Sequence, residues 1–269
     1  MRQIRDNRTE SAQMIPYHDE NDTVRPAVVT LSIIAICALM WLFVQGAGSE
    51  YLLAESVCNL GLIPGELTQT LQAGTQFPIA RGLACVIDPG PQYLNVLSSM
   101  FLHGGWMHLI GNMWFLWLFG NNIEDSMTRP RFIAFYLLCG FGAALAQGLA
   151  EPASSAPMVG ASGAISGVMG AYLVLYPKAR VYTFVPLGFI FTTIALPAWV
   201  MLIYWMALQI FGGLAQSVAE EGGGVAFWAH IGGFVAGVAL IKLFAKTNHV
   251  VAHEAHHYQP RRVGWDYRE

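Results

Sequence analysis

Long windows without a single charged side chain constrain this chain more than anything else in it. Pro152–Pro177, Val181–Ala219 and Gly222–Ile241 each lack Asp, Glu, Lys and Arg. A soluble fold of 269 residues needs a charged surface, yet only 12% of the chain is charged, against roughly 25% in an ordinary soluble domain. Lipid must therefore cover much of it. A transmembrane helix takes about 20 apolar residues, so spans are expected at Pro26–Val44, Met107–Ile123, Phe132–Leu149, Val159–Tyr176, about 197–217 and Phe227–Phe244. The window opening at Val181 is too long for one straight helix; its Pro186, Gly188 and Pro197 point to a surface-lying approach to the fifth span. The expected fold class is all-α, a polytopic membrane helix bundle with six transmembrane helices.

Lys and Arg set the orientation. Arg2, Arg5, Arg8 and Arg25 precede the first span, Arg129 and Arg131 lie in the second loop, Lys178 and Arg180 in the fourth, and Lys242, Lys246, Arg261, Arg262 and Arg268 at the end. The first loop, 46–106, has only Arg81, and the third and fifth loops have none. Every second loop is basic, which places both termini in the cytoplasm of a multi-pass cell (plasma or inner) membrane protein. The chain divides into a cytoplasmic segment 1–24, a membrane domain 25–246 and a cytoplasmic tail 247–269. Residues 1–24 are polar and lack the apolar core of a signal peptide. The net charge of −3 leaves no basis for nucleic acid as a partner.

The first loop carries little charge, and its apolar pieces Tyr51–Val57 and Val96–Leu102 are too short to span. It is expected to sink partly into the outer leaflet. Cys58 and Cys85 both lie there, outside the cytosol, where a disulfide could persist; the sequence leaves open whether they pair. Cys37 and Cys139 fall mid-span and read as packing residues. The tail histidines His249, His253, His256 and His257 read as a solvated end rather than a metal site.

Polar groups at bilayer depth are expensive and tend to be functional. On the second span, His108 and Asn112 are four residues apart, share a helix face and can donate towards one point. His103 lies just outside that helix, an interfacial position that suits a structural role. In Gly160-Ala161-Ser162-Gly163, glycines clear the approach to a lone hydroxyl, and Pro157 just upstream suits a helix start whose free N–H groups favour a developing anion. The elbow pentapeptide G-x-S-x-G is not met, because Ala164 occupies its last position. On the last span, Gly233 and Gly237 form a G-x-x-x-G pair one turn after His230, matched by Gly163 and Gly167 beside Ser162. Small residues on both helices allow close approach, which would bring His230 within reach of Ser162. These are the parts of acyl-transfer chemistry: a nucleophile, a base and two oxyanion donors. No Asp or Glu accompanies His230, so a dyad is expected.

H-x4-H-x3-N on the second span, G-x-S-G on the fourth and A-H-x-G-G on the sixth resemble, in combination, the rhomboid family of intramembrane serine proteases. The likeness runs from about Leu97 to Lys242. It implies Ser162 as nucleophile and His230 as general base and later acid. Asn112 and His108 become oxyanion donors alongside the Ser162 backbone N–H, Gly160 shapes the elbow, and His103 is structural near the active-site opening. It also implies single-pass transmembrane proteins as substrates, cut near the exterior face through a water-filled cavity, with no metal or cofactor. Two departures stand out. Members often carry Trp-Arg some nine residues before the first motif histidine, where this chain has Leu94-Asn95, so another device must anchor the first loop. Some carry a tyrosine four residues after the serine, stacked on the imidazole; here it is Ser166, so another group must orient His230.

Three rival readings meet the same residues. A membrane metalloprotease would want H-E-x-x-H, but these histidines are five apart without a glutamate between them. A catalytically inactive rhomboid-like factor that binds and routes membrane clients would have lost the serine or histidine. A solute transporter would be short of intramembrane charge for ion coupling.

Overall fold

The computed structural model describes residues 15–187, 190–219 and 225–257. In chain order the elements are β1 (Ile15–Asp19), α1 (Val28–Leu39, continued by a π-helical turn Met40–Val44), α2 (Glu50–Leu60), α3 (Pro64–Leu67), β2 (Gln76–Ala80), β3 (Leu83–Val86) and α4 (Asn95–Ser98). Then come α5 (Trp106–Asp125), α6 (Arg129–Ala150), α7 (Ser162–Leu175), β4 (Arg180–Leu187), β5 (Ile190–Pro197), α8 (Ala198–Ala219), α9 (Phe227–Phe244) and α10 (Thr247–His257). A helix occupies each of the six apolar windows. Among the described residues, α6, α8 over Ala198–Gln216 and α9 are long and apolar enough to cross a membrane, and α1 with its extension and α7 are shorter apolar helices.

The expectation of an all-α chain is corrected by two small sheets. The segment read as a surface-lying approach is a β-hairpin, β4 on β5, and β1 pairs antiparallel with β4 to give the order β1-β4-β5. Its register runs from Ile15 opposite Phe184 to Asp19 opposite Val181. Val181, Tyr182, Thr183, Phe184 and Val185 are β-branched or aromatic types that favour strands, but a count of apolar residues cannot tell such a run from helix.

Between α1 and α5 the long loop is folded. Cys58 on α2 is disulfide-bonded to Cys85 on β3, which answers the pairing that the sequence left open. Leu62 and Met158 exchange backbone hydrogen bonds of 3.0 and 2.7 Å, and the Gly65 N–H donates to the Ser154 carbonyl at 2.9 Å. The Thr68 and Thr70 hydroxyls donate to the Pro152 carbonyl at 2.6 and 2.5 Å. Gln45, just after α1, grips the backbone of His103 with both ends of its amide, at 2.7 and 2.8 Å. These contacts do the anchoring for which the sequence offered no Trp-Arg pair.

The core centres on α7, every residue of which is buried from Gly163 to Tyr172. It lies against α9 at glycine positions. A methyl carbon on Gly233 would fall 1.9 Å from the Gly163 carbonyl oxygen, and one on Gly237 would fall 1.9 Å from that of Gly167. Across its other side, a methyl on Gly167 would meet Cys139 of α6 at 2.4 Å; Cys139 and Cys37 are both buried and unpaired with each other. Backbone meets backbone here because nothing larger than hydrogen fits.

The reading of the tail histidines as a solvated end is corrected at His253, which is buried. Asp19, Asn21 and His253 are buried against the far ends of α5 and α7. The His253 ring sits 2.7 Å from both Asp125 Oδ2 and Asn21 Oδ1. The Tyr172 hydroxyl donates to Asp19 Oδ2 at 2.6 Å and accepts from Asn21 Nδ2 at 3.1 Å. Glu124 accepts the Val29 and Thr30 N–H groups at 2.9 and 2.8 Å, capping the start of α1. The His253 ring finds hydrogen-bond partners for both nitrogens inside the protein, but those partners, Asn21 just after β1 and Asp125 at the end of α5, are far away in sequence. The side chains of His256 and His257 and the chain beyond lie outside the described residues.

Candidate active site

Ser162 is the first residue of α7, where helix N–H groups have no carbonyl one turn back to accept them. His230 sits one turn into α9, on the side that the glycine contacts hold against α7. The Ser162 Oγ and His230 Nε2 atoms are 2.8 Å apart. Ser166, four residues on, does not touch the ring; its hydroxyl donates to the Ser162 carbonyl at 2.6 Å.

The second ring nitrogen has a partner that the sequence reading missed. Gln209 Oε1 of α8 lies 2.7 Å from His230 Nδ1, and Gln209 Nε2 donates to the Trp205 carbonyl at 3.4 Å. The Trp205 ring lies beside the imidazole, centroids 5.8 Å apart. An isolated amide in the middle of a charge-free window was a signal on the same footing as His108 or Asn112.

His108 and Asn112 come from the first turns of α5. The Gly104 N–H donates to His108 Nδ1 at 3.2 Å, which leaves the proton of the neutral ring on Nε2. That atom faces the chain just before Ser162: a methyl carbon on Gly160 would lie 2.8 Å from His108 Nε2 and 3.5 Å from Asn112 Nδ2. Gly160 has φ +129°, a conformation that side chains rarely adopt, so both backbone shape and space demand glycine. Asn112 Nδ2 is buried without a hydrogen-bond partner among the described residues. Gly163 packs away from the hydroxyl, against Ala143. His103 is fully buried; among the described residues neither ring nitrogen has a partner, and its ring meets that of His108 edge-on at 5.3 Å.

Ser162, His230, His108 and Asn112 all line one cavity of about 880 Å³, walled on another side by Leu53, Ala54 and Val57 of α2. It is large enough for an extended peptide segment, and its convergent polar groups could deliver a hydroxyl, take its proton and donate to an oxygen a few ångströms away. Among the described residues no three His, Cys, Asp or Glu side chains are grouped as a metal would need.

A model of the Rhomboid domain matches residues 90–247, more than half of the chain and all four of those polar side chains. The chain belongs to the rhomboid family. It is 28% identical over 153 residues to "RHOMBOID-like protein 5" of Arabidopsis thaliana, covering 55% of this chain and 48% of the relative. It is 30% identical over 152 residues to "Rhomboid protein 1, mitochondrial" of Saccharomyces cerevisiae, covering 54% and 40%. It is also 28% identical over 153 residues to "Putative rhomboid protease YdcA" of Bacillus subtilis, covering 56% and 63%. The matched stretch thus spans about half the length of these relatives. As a rhomboid with apolar helices, the chain is a multi-pass membrane protein.

Proposed function

We propose that this rhomboid is an intramembrane serine endopeptidase that cuts single-pass transmembrane proteins near the exterior membrane face. The observation that carries the reading is the 2.8 Å contact between the Ser162 hydroxyl and His230, made inside a cavity that also receives His108 and Asn112. Ser162 Oγ attacks the substrate carbonyl carbon while its proton passes to His230 Nε2. Negative charge on the carbonyl oxygen is met by Asn112 Nδ2, His108 Nε2 and the Ser162 N–H. Collapse of the tetrahedral intermediate breaks the C–N bond, and His230 gives its proton to the leaving amine. Water then enters, deprotonated by His230, and releases the acyl group from Ser162. No metal or cofactor takes part.

A helical substrate hides its carbonyls in its own hydrogen bonds, so cleavage favours segments that unwind, with Gly, Pro or polar residues in the span. The protease domain runs from 25 to 246, its six helices cross a plasma or inner membrane, and both ends face the cytoplasm. The alternation of basic loops and a disulfide in the first loop support that orientation. Against an inactive client-binding factor stands the retention of serine and histidine at bonding distance.

Co-expression with a panel of single-pass reporters, followed by sequencing of the fragments, tests the reading. Ser162→Ala and His230→Ala should each lower cleavage about 10⁴-fold or more, and a fluorophosphonate should label Ser162 in the unaltered protein. Reporters cut equally well by the Ser162→Ala protein would end the proposal.

A further inference from the structure

Resting on that reading, we infer that Gln209 is the positioning residue of the Ser162–His230 pair: its side-chain carbonyl fixes the tautomer and the ring angle that present Nε2 to Ser162. A glutamine carbonyl can only accept, so at 2.7 Å it requires the imidazole proton on Nδ1 and leaves Nε2 as the acceptor of the Ser162 hydroxyl. The amide's own orientation is set by the Trp205 carbonyl, one turn earlier in α8, which takes Nε2–H at 3.4 Å. Turned over, the amide would press its oxygen against that carbonyl and its NH2 group against the imidazole proton. Gln209 is 9% exposed, so water does not compete for the bond.

The surroundings leave few other candidates. Neither α7 nor the described side chains of α8 carry Asp, Glu, Lys or Arg, and α9 carries only Lys242 near its far end. Gln147 of α6, the other amide close by, accepts the Ala229 N–H at 3.2 Å. Trp205 limits tilting of the ring on one face. When the proton moves from Ser162 to Nε2 the ring becomes an imidazolium with two N–H groups, and the Gln209 dipole then faces a positive partner. A neutral acceptor supplies this without the desolvation penalty of a buried carboxylate. The arrangement is Ser-His-Gln, with the amide where serine hydrolases of other folds place Asp or Glu.

The test compares the full-length protein with Gln209→Met, which keeps length but has no acceptor, and with Gln209→Glu, which restores one. Cleavage of a single-pass reporter gives kcat and KM, fluorophosphonate labelling gives the reactivity of Ser162 without substrate, and thermal melting reports folding. Gln209→Met is expected to lower kcat about 100-fold with KM within about twofold, to slow labelling in parallel and to melt like the parent. Gln209→Glu is expected to recover about tenfold or more of that loss. If the methionine variant does not fold, Gln209→Asn, one methylene short of the ring, carries the same test and should lose about tenfold. A folded Gln209→Met or Gln209→Asn with undiminished kcat and labelling overturns this inference alone. So does a folded glutamate variant as slow as the methionine one. A parent protein that neither cleaves nor labels overturns the protease reading and this inference with it.

Discussion

Asn112 and Asn122 stand on the same helix, both almost wholly buried, and the protein treats them oppositely. Asn122 Nδ2 donates to Asp19 Oδ2 at 2.9 Å, while Asn112 Nδ2 has no partner among the described residues. The contrast extends across α7. Ser162 at its start faces a cavity, whereas Tyr172 near its end is tied to Asp19 and Asn21. A buried donor without an acceptor costs about 1–3 kcal/mol. Among the described residues that cost is left standing at one end of the bundle, at Asn112 Nδ2 and at the His103 ring, whose donor nitrogen and acceptor nitrogen both go unmet. At the other end Asp19, Asn21, Asp125 and His253 are matched, while Asn122 Oδ1, the Tyr176 hydroxyl and His249 Nδ1 find no partner among the described residues. Unmet donors are what a site for a transient anion needs, and matched ones are what holds chain ends to a bundle.

Substitutions at the two ends should therefore separate activity from stability. The largest effect is expected at Gly160→Ala, whose methyl would occupy the space before His108 Nε2 and force φ +129° on a side chain. Reporter cleavage should fall about a thousandfold or more, a larger effect than the about 1–3 kcal/mol of folding stability that backbone strain at this residue would cost. A Gly160→Ala protein of normal activity would show that the two donors do not act at this spot. Asp125→Ala should do the reverse. That carboxylate accepts from the Val24 and Arg25 N–H groups at 2.9 and 3.1 Å and from the Arg25 guanidinium at 3.0 Å, with His253 at 2.7 Å. Its loss should lower unfolding stability by about 3 kcal/mol or more and leave the specific activity of folded protein within about threefold. An unaltered denaturation midpoint would mean that the chain ends are held by something else.

Asn112→Ala is next: a barrier higher by about 3 kcal/mol, near a hundredfold in kcat/KM, with no loss of stability because no bond is broken. A drop in melting temperature would refute the idea that its amide is held in reserve. The smallest effect concerns Asp19, whose carboxyl burial pushes up from 3.8 to about 6 against the opposing pull of the Tyr172 hydroxyl and His18. The folded state prefers the neutral acid, so this contribution to stability is complete below about pH 4 and is lost as pH rises through about 6. Asp19→Asn should remove that decline and gain about 1–2 kcal/mol at pH 7–8 relative to the parent. Parallel stability curves for the two proteins between pH 4 and 8 would contradict it.

What could be read in the chain followed from rules that act locally or through a single motif. Absence of charge marked the helices, and the paired G-x-x-x-G spacings placed Ser162 against His230, because a missing side chain has the same meaning in either helix. Gln209, His253 and the hairpin were hidden for a different reason. A lone amide declares that it needs a partner but not which one; Gln209 and His230 find each other only once α8 leans on α9. β1 is five polar-to-apolar residues that become a strand only because β4 offers an edge. Cys58 and Cys85 were visible as a possible pair, but the fold of the loop between them decides whether they meet.

The contacts of Gly233 and Gly237 with the carbonyls of α7 have a consequence for heredity. A methyl group at either position would wedge the two backbones apart by about 1 Å or more, and that displacement would be passed to the 2.8 Å gap between hydroxyl and imidazole. A proton hop that tolerates so little slack is thus governed by codons specifying hydrogen in place of carbon. In a random mutant library, alanine at these glycines should be recovered among the silent enzymes, although neither residue touches a reacting atom.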